Sequence, residues 1–461
     1  MKNIYDASPI WSQNIMISIY GYKLMKNRYG KEYYQAFEYY KNKKNLDLNE
    51  ELIIQNNELK KLLKHALENS KFYKALYQNI DISKVQTIDD LNLLPVLEKE
   101  MLRSNLNDIY TISADNAIPA FTGGTTGKSL KVLFTKNDIQ KRNAYLDAFK
   151  YKLGIDTFST RKATFSGRSF ISNGILAKKN IFWRYNFPYK QKLYSTFDMT
   201  KENLPFYIDD LNSFKPDTLN GFVSALYEVA NYIYKTNIKL SFTPKAIFTT
   251  SETLLPLHRE VIERAFNCKV YNQYASAEGA PFVTECKYGN LHYNLDTGII
   301  ETVNSGEGDE ILVTSFTSYG TPLIRYRIGD KIKFKDGMCN CGSMHPLVES
   351  IDGRKVDYLY SLEKGKISLS HLSDVIKGMP NSVKNMQFIQ NDLDKIIINI
   401  VIDEELYKDE MDQSILKEMR LRFGTKTKFE IHKLGQLDRL NSGKFSFIKN
   451  NLSLPDLKKI R

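Results

Sequence analysis

The 461-residue chain has little cysteine and no long apolar run, and each shortage excludes a class of protein. Four cysteines in a chain of this length are too few for a disulfide framework, so a reducing, cytoplasmic location is expected. No stretch approaches the roughly 20 apolar residues that a membrane-spanning helix requires. The amino-terminal residues mix charged and aromatic side chains and lack a continuous apolar core, which argues against a signal peptide.

Two functional signatures are also missing. The sequence has no Gly-x-Ser-x-Gly elbow, so nothing supports a Ser-His-Asp hydrolase. The net charge is +12, but the basic residues are scattered and do not alternate with stacking aromatics, so no nucleic-acid partner is expected. A basic surface also suits a polyanionic small molecule such as ATP.

A loosely amphipathic helix is predicted from Trp11 to Tyr29. Such a stripe either packs against the rest of the protein or lies on a membrane surface. The pattern does not choose between these, so no transmembrane segment is expected while peripheral membrane contact stays open. The oligomeric state also stays open, with a homodimer among the alternatives.

The chain is too long for one compact core, and its pattern of apolar and polar residues changes along its length. Residues 1–115 form a helical opening, with apolar residues three and four apart from Leu59 to Tyr77. From about Ile118, short β-rich runs alternate with helical ones, and residues 298–334 alternate as antiparallel strands. This pattern predicts layered sheets and helices in an α/β fold.

A smaller α+β unit is predicted beyond about Val356, with a helix near Gln413–Arg422 between strands. Gly353 supplies backbone freedom to a linker at Asp352–Asp357. The predicted domains are therefore a large amino-terminal domain, residues 1–355, and a small carboxy-terminal domain, residues 356–461.

The run Thr122-Gly123-Gly124-Thr125-Thr126-Gly127-Lys128 suits phosphate binding. Glycine lets the backbone approach a phosphate, successive N–H groups form an anion-binding nest, and the hydroxyls and Lys128 add donors and charge. A Walker A loop does not fit, because Thr122 stands where its first glycine belongs and LKVLFT predicts a following strand instead of a helix. A plain glycine-rich hairpin turn would need neither the hydroxyls nor the lysine.

This loop resembles the signature loop of the adenylate-forming enzymes, which include acyl-CoA synthetases, peptide-synthetase adenylation domains and luciferases. Four later segments resemble that family's motifs in the same order: Tyr274–Gly279, Arg325–Asp330, Gly353-Arg354 with Asp357, and Asn441–Lys444. Within the superfamily the chain is similar to the phenylacetate-CoA ligase branch, which includes the CapK-like capsule-biosynthesis proteins. The similarity extends from about residue 50 to about residue 450.

The resemblance implies binding of ATP and Mg²⁺ by particular residues. Thr122, Gly123, Gly124, Thr125, Thr126, Gly127 and Lys128 would bind the β- and γ-phosphates. Glu278 would hold magnesium, Asp330 would accept bonds from the ribose hydroxyls, and Arg354 would contact the ribose or a phosphate.

Other implied roles concern adenine and catalysis. Tyr274, with Ala275 and Ser276 in the same motif, would lie against adenine, and Ser251 and Glu252 would line the nucleotide pocket. Lys444 would reach the α-phosphate and the carboxylate, and would leave when a mobile small domain rotates. The expected catalytic residues are Lys444, Glu278 and Lys128.

Three of these residues also have a purely structural interpretation. Asp330 could be a turn residue, Glu278 an acid at a helix terminus and Lys444 a surface lysine. Two departures from the family pattern weaken the assignment. Ala277 stands where the family usually has a hydroxyl, and Val356 stands where many members have a hinge Asp or Lys.

Cys286 and His292, spaced C-x5-H, and Cys339 and Cys341, spaced C-x-C, supply three thiolates and one imidazole. This donor set suits a tetrahedral structural zinc ion, and Cys268 is left over. Unrelated buried thiols are the alternative. The phenylacetate-CoA ligase branch has similar positions that bind a structural metal in some members.

Together these features predict an adenylate-forming ligase that converts a carboxylic acid to acyl-AMP and passes it to an amine, a sugar-amine or coenzyme A, in capsule or exopolysaccharide biosynthesis. A phenylacetate-like aryl- or acyl-CoA ligase and a non-catalytic scaffold of a polysaccharide pathway are the alternatives. The acyl pocket would draw on Ser166–Asn173, Phe222, Phe248 and Asn272–Pro281. Asn220, Asn272 and Gln273 make it partly polar.

Overall fold

The structure, a computed structural model, divides into two compact units. The first comprises Met1–Ala120, Val132–Ser166 and Phe170–Gly353. The second comprises Phe121–Lys131, Gly167–Ser169 and Arg354–Arg461. The residues that the structure describes are 5, 8–121, 130–166, 180–196, 198–199, 202–252, 254, 256–304, 309–352, 358–368, 372, 375, 382–402, 404, 407–435, 437 and 448–452.

The first unit opens with helices, as the sequence predicts. They are α1 (Ile10–Arg28), α2 (Lys31–Asn42), α3 (Leu48–Asn69), α4 (Lys71–Leu76), α5 (Lys99–Ser104) and α6 (Leu106–Ile109). A capping box between Asp47 and Glu50 starts α3, and Ser70 caps α4 by accepting a bond from the Tyr73 N–H. No described helix combines the length and apolarity that a membrane crossing requires.

A mixed sheet forms the centre of this unit. Its strands are β3 (Lys162–Ser166), β4 (Trp183–Asn186), β5 (Gln191–Ser195), β6 (Thr218–Phe222), β7 (Ala246–Thr250), β8 (Val270–Tyr274), β9 (Val283–Glu285), β10 (Leu291–Tyr293), β11 (Gly298–Asn304), β12 (Asp309–Ser315), β13 (Tyr326–Lys335) and β14 (Leu347–Asp352). Within the described part of the chain their order is β11-β12-β13-β14-β10-β9-β8-β7-β6-β3-β5-β4. Before them, β1 (Ile118–Phe121) and β2 (Lys131–Phe134) form a separate two-stranded sheet.

Pairing divides the large sheet into two halves. Strands β5, β3, β6, β7 and β8 are parallel, whereas β8 and β9 and all later neighbours are antiparallel. Helix α7 (Lys136–Lys152) precedes β3. Parallel strands need crossover helices, and α8 (Leu204–Phe214), α9 (Val223–Thr236) and α10 (Pro256–Phe266) connect β5 to β6, β6 to β7 and β7 to β8. Their apolar faces join the strands in a core that includes Phe165, Tyr207, Leu219, Val229 and Ile247.

The second unit is α+β, as predicted. Its four-stranded sheet has the order β19-β18-β17-β20, built from β17 (Val383–Asp392), β18 (Lys395–Ile402), β19 (Lys428–Lys433) and β20 (Ile448–Asn450). Helix α11 (Glu410–Phe423) contributes Ile415, Met419 and Phe423 to the core. A hairpin of β15 (Tyr358–Ser361) and β16 (Gly365–Ser368) adds Leu359 and Ile367.

Phe388 lies fully buried at the centre of this second core. We expect Phe388→Ala to lower the free energy of unfolding by about 3–5 kcal/mol, because truncation leaves a cavity among aliphatic side chains. Urea denaturation followed by circular dichroism measures the change. Leu362→Ala is the matched control, since Leu362 is 44% exposed in the same unit, and it should cost less than about 0.5 kcal/mol. Equal effects of the two substitutions would contradict this core assignment.

Candidate nucleotide site and metal centre

The parallel half of the large sheet has one edge where all its strands end. In register, β3, β6, β7 and β8 run the same way, so Ser166, Phe222, Thr250 and Tyr274 end at the same edge. Ligands of open α/β sheets bind outside this carboxyl edge. The sequence places acyl-pocket residues in these segments, and residues 167–173 of that set lie outside the described chain.

Two of the predicted nucleotide residues meet at this edge. The Tyr274 hydroxyl donates a 2.7 Å hydrogen bond to Oδ2 of Asp330, although the two residues are 56 positions apart. Tyr274 ends β8, whereas Asp330 lies in β13 directly after Gly329, which has a φ of +90°. The bond fixes a carboxylate beside an aromatic ring, an arrangement that can bind a polar sugar and a flat base.

The loop after Tyr274 is held in a single turn by its own side chains. The Ser276 hydroxyl accepts bonds from the Gly279 and Ala280 N–H groups, at 3.2 and 2.9 Å. Gly279 has a φ of +106°, a conformation that favours glycine. Glu278, the predicted magnesium ligand, is only 8% exposed in this loop.

A buried guanidinium from α7 also fixes this loop. Arg142 donates to the Gly279 carbonyl at 3.0 Å, to the Ala280 carbonyl at 3.3 Å and to the Thr317 hydroxyl at 2.8 Å. Its guanidinium lies 4.4 Å from the centre of the Phe282 ring. Burial lowers the pKa of Arg142 to about 10, so the side chain stays charged at neutral pH.

Sequence reasoning missed Arg142, because a charged residue in a helix is usually solvated. A second missed residue, Asp138, lies one turn earlier and caps α7 through the Thr135 N–H. Its carboxylate also accepts bonds from the Tyr319 and Gly320 N–H groups, both at 3.0 Å. Several polar residues on one helix are the signal that could have identified this buried face.

Strand β2, which follows the predicted phosphate loop, is anchored to the same segment. The Thr321 hydroxyl accepts from the Leu133 N–H at 2.8 Å and donates to the Leu133 carbonyl at 2.9 Å. A Cβ at Gly320 would lie 2.4 Å from that carbonyl, so only glycine permits this approach. The predicted strand after the loop is therefore present at Lys131–Phe134, where the helix of a Walker A motif would continue.

The other predicted nucleotide residues are placed in part. Ser251 follows β7 with a φ of +66°, a strained conformation of the kind that clusters at functional sites. Glu252 comes next and is partly buried. Thr122–Lys128, Gly353-Arg354, Val356, Asp357 and Asn441–Lys444 lie outside the described residues.

The predicted metal ligands meet at a different place in the first unit. Cys286 and His292 flank the turn between β9 and β10, and Cys339 and Cys341 lie in the turn between β13 and β14. Strand β10 pairs with β14, with His292 opposite Leu347, which brings the two turns together. All four ligand atoms lie within 4.8 Å of one another.

The spacing inside this cluster suits a tetrahedral ion better than a disulfide. Sγ of Cys286 and Sγ of Cys339 are 3.6 Å apart, far beyond the bond length of about 2.05 Å in a disulfide. Zn–S bonds of about 2.3 Å in a tetrahedron place two sulfurs about 3.8 Å apart. Sγ of Cys341 lies 3.4 Å from Nε2 of His292, and the His345 carbonyl lies 3.2 Å from Nδ1 of the same ring. That outer contact fixes the ring in the orientation that a metal ligand needs.

The thiols already polarise one another. Burial alone would raise the pKa of Cys339, but hydrogen bonds from Cys341, His292 and Asn290 hold it at about 6. Burial and the neighbouring sulfurs raise the pKa of Cys341 to about 12. Without a cation, the clustered cysteines are therefore only partly ionised. A bound cation would stabilise all of them as thiolates.

A second cluster of potential ligands, Glu51, Asp296 and His345, lies nearby and is satisfied by the chain itself. The ammonium of Lys43 lies 2.6 Å from Glu51 and 2.7 Å from both carboxylate oxygens of Asp296. Burial lowers the pKa of His345 to about 4, so this ring is neutral at neutral pH. Lys43 thus neutralises both carboxylates without a metal ion.

Comparison with known proteins gives one family and one fold. A family model described as the CapK C-terminal domain matches residues 359–451. Protein CapK of Staphylococcus aureus is 38% identical over 455 residues, covering 98% of this chain and 100% of that protein.

Solved structures of a 2-hydroxyisobutyryl-CoA ligase share the architecture. The complex with 2-HIB-AMP and CoA in the thioesterification state gives a TM-score of 0.60 at 16% identity, covering 88% of this chain and 91% of that one. An open conformation of the same ligase gives a TM-score of 0.55 at 15% identity, covering 88% and 92%. At these identities the likeness shows a common fold, and it confirms the predicted fold class.

Removing the Arg142 guanidinium should loosen the loop after β8. We expect Arg142→Met to lower the free energy of unfolding by about 2–4 kcal/mol, because two buried carbonyls and a hydroxyl lose a charged donor. Hydrogen exchange measured by mass spectrometry should rise in the peptide that spans residues 275–282. Arg264→Met, at an exposed position on α10, is the control and should leave that peptide unchanged. Unchanged exchange in Arg142→Met would show that other contacts hold the loop.

Proposed function

Because this chain belongs to the CapK family, we propose that it activates a carboxylic acid with ATP as an acyl-adenylate and transfers the acyl group to an acceptor. The acceptor is an amine on a sugar or an amino acid, or coenzyme A. The pathway served is capsule or exopolysaccharide biosynthesis, in the cytoplasm. ATP and Mg²⁺ are the required small molecules.

One contact supports this function most directly, the 2.7 Å bond between Tyr274 and Asp330. Two motifs that resemble the adenylate-forming family, far apart in sequence, meet at the edge of the sheet where nucleotides bind in α/β folds. The Asp330 carboxylate is an acceptor for both ribose hydroxyls, and the Tyr274 ring offers a flat face for adenine. The nucleoside of ATP would bind here.

The proposed first step is a displacement at phosphorus. A carboxylate oxygen of the acid bonds to the α-phosphorus of ATP, and the bond from that phosphorus to the oxygen bridging to the β-phosphate breaks. Pyrophosphate leaves, and the acyl-adenylate remains. The protein must neutralise charge and align the reacting atoms, and needs no covalent nucleophile.

Three sets of residues would supply that charge and alignment. Thr122–Lys128 would bind the departing β- and γ-phosphates, and Lys444 would reach the α-phosphate and the carboxylate. The Glu278 carboxylate, a hard oxygen donor in a loop fixed by Arg142, suits Mg²⁺, which screens phosphate charge when bound. Because Arg142 and Asp138 hold the surrounding backbone, little reorganisation would be needed when ATP binds.

Two alternatives keep specific support. The 2-hydroxyisobutyryl-CoA ligase with the same fold binds an acyl-adenylate together with CoA, which favours a CoA ligase of the phenylacetate type. Ala277 and Val356 depart from the family motifs, which favours a non-catalytic scaffold of a polysaccharide pathway. Asn220, Asn272 and Gln273 favour a polar acid over a plain phenyl ring.

Exchange of labelled pyrophosphate into ATP tests the adenylation step with a panel of aliphatic, hydroxy, amino and aryl acids. We expect exchange that depends on the presence of one class of acid. The exchange rate should fall at least about 100-fold in Lys444→Ala, because a cation at the reacting phosphate is removed. Lys428→Ala is the control, since Lys428 is an exposed lysine of the same unit. Product analysis with CoA or amines then identifies the acceptor.

Binding of ATP without exchange for any acid would favour the scaffold. An unimpaired Lys444→Ala protein would refute the role of Lys444 while leaving adenylation itself in place.

We also propose that Cys286, His292, Cys339 and Cys341 bind a structural zinc ion. Four ligand atoms within 4.8 Å of one another form a complete tetrahedral set that leaves no position for a substrate. The ion would tie the β9–β10 turn to the β13–β14 turn, and so stabilise the antiparallel half of the sheet. When bound, zinc neutralises the thiolates and contributes folding free energy.

Metal analysis of the purified protein tests the zinc site. We expect about one zinc per chain in the wild type, and loss of the metal with a lower melting temperature in Cys339→Ser. Cys268→Ser is the matched control, because Cys268 lies outside the cluster, and it should retain the metal. A wild-type protein that is folded and metal-free after purification without chelators would refute the site.

A further inference from the structure

Helix α1 is attached to the protein by buried polar groups as well as by half-buried apolar side chains. The Gln13 side chain is fully buried, and its Oε1 accepts a 2.6 Å bond from Nε of Arg184 in β4. Oδ1 of Asn14 accepts a 2.9 Å bond from the Tyr185 N–H in the same strand. In most surface helices the apolar stripe faces the core and the polar residues face water. In α1, by contrast, Gln13 is fully buried, whereas several large apolar side chains are exposed.

The opposite side of α1 is apolar and faces solvent. Trp11, Ile15, Ile19 and Tyr22 follow one another at spacings of four, four and three residues, which places them on one helical face. They are between 47% and 67% exposed. A run of large apolar side chains turned outward is a feature of binding surfaces.

A second element extends this surface. The Phe187 N–H donates to the Ser18 hydroxyl at 3.1 Å, so the turn between β4 and β5 lies against α1. The Phe187 side chain itself is 60% exposed. We call the side chains of Trp11, Ile15, Ile19, Tyr22 and Phe187 the α1 face.

The two chain segments that form the α1 face carry basic residues and no carboxylates. Lys23, Lys26 and Lys190 are exposed, and among the residues described none of them forms an ion pair with a carboxylate. The chain has no Asp or Glu from Ser8 to Lys31 or from Ile181 to Ser195. The Lys26 ammonium lies 4.9 Å from the Tyr22 ring centre, so a cation and an aromatic ring of the surface adjoin.

We propose that the α1 face binds the surface of an anionic phospholipid bilayer. Aromatic and aliphatic side chains enter the boundary between headgroups and acyl chains, and neighbouring lysines meet the anionic headgroups. A second copy of the chain fits less well, because a two-fold contact places the same patch on both sides and brings cation against cation. The bilayer supplies both the apolar medium and the opposite charge.

Two tryptophans in the whole sequence give this proposal a direct reporter. Trp11 is on the α1 face, whereas Trp183 packs in the core against Tyr194. In the full-length Trp183→Phe protein, emission comes from Trp11 alone. We expect it to shift to shorter wavelength with vesicles of phosphatidylcholine and phosphatidylglycerol at a ratio of about 3:1, and to stay unchanged with pure phosphatidylcholine, because charge attraction is needed.

Sedimentation with the same vesicles measures the binding of variants, and so separates the contribution of the lysines to binding from that of the apolar side chains. Each lysine near an anionic surface raises the membrane-binding constant about five-fold. The double substitution Lys23→Gln/Lys26→Gln should therefore lower that constant about 25-fold. Lys64→Gln/Lys84→Gln is the control with the same net charge, at positions 75% and 72% exposed elsewhere in the first unit. That control should bind almost as the wild type does.

The double substitution Trp11→Ser/Ile19→Ser removes two apolar side chains of the α1 face and should abolish measurable vesicle binding. Its control is Ile53→Ser/Leu93→Ser, which removes two exposed apolar side chains elsewhere. Circular dichroism should show all variants folded. An unmoved Trp11 spectrum, or equal binding to neutral and anionic vesicles, would overturn the proposal. A concentration-dependent dimer that Trp11→Ser/Ile19→Ser dissociates, without vesicle binding, would overturn it in favour of an interface between copies.

Discussion

The geometry of the first unit depends on one strand, β8, which has a parallel neighbour on one side and an antiparallel neighbour on the other. A strand in this position ends at the carboxyl edge of the parallel half, and the chain must then reverse to form β9. The reversal takes place within Ser276–Ala280, where buried Arg142 supplies donors to carbonyls that no strand pairs. Without such a cation, these buried carbonyls would lack a hydrogen-bond donor, and the fold would be less stable.

That switch in pairing also separates the candidate nucleotide site from the candidate metal site. At the carboxyl edge of the parallel half, strand ends converge, and Tyr274 there bonds to Asp330 of the antiparallel strand β13. On the antiparallel side, short hairpins converge instead, and the Cys286 and Cys339 turns meet because β10 pairs with β14. Small hairpins bury little apolar surface, so a cross-link through a metal ion is a physically suitable way to hold them.

Much of this arrangement could be predicted from the sequence. The alternation of elements, the strand after the phosphate loop and the convergence of Cys286, His292, Cys339 and Cys341 follow from periodicity and donor chemistry. Arg142 and Asp138 could not be found in that way, because their importance lies in backbone groups from distant segments. Short strands such as β4 and β14 gave too weak a pattern, since pairing partners, and not their own composition, stabilise them.

Helix α1 is a second case in which the sequence did not predict the contacts. Its sequence predicts an amphipathic helix but not which side is attached, because an apolar stripe normally faces inward. The structure decides this through buried Gln13 and Arg184, whose hydrogen bonds require the polar side to face β4.

The polar attachment of α1 has a consequence for temperature. Burial of apolar surface weakens on cooling because its driving force near room temperature is largely entropic. The contact between α1 and β4 includes hydrogen bonds from β4 to Gln13 and Asn14, with Gly21 so close to Asn186 that a Cβ would lie 2.2 Å from its Oδ1. These hydrogen bonds do not share the cold sensitivity of an apolar contact, so the polar part of the α1 attachment should persist in the cold while the apolar cores lose stabilisation.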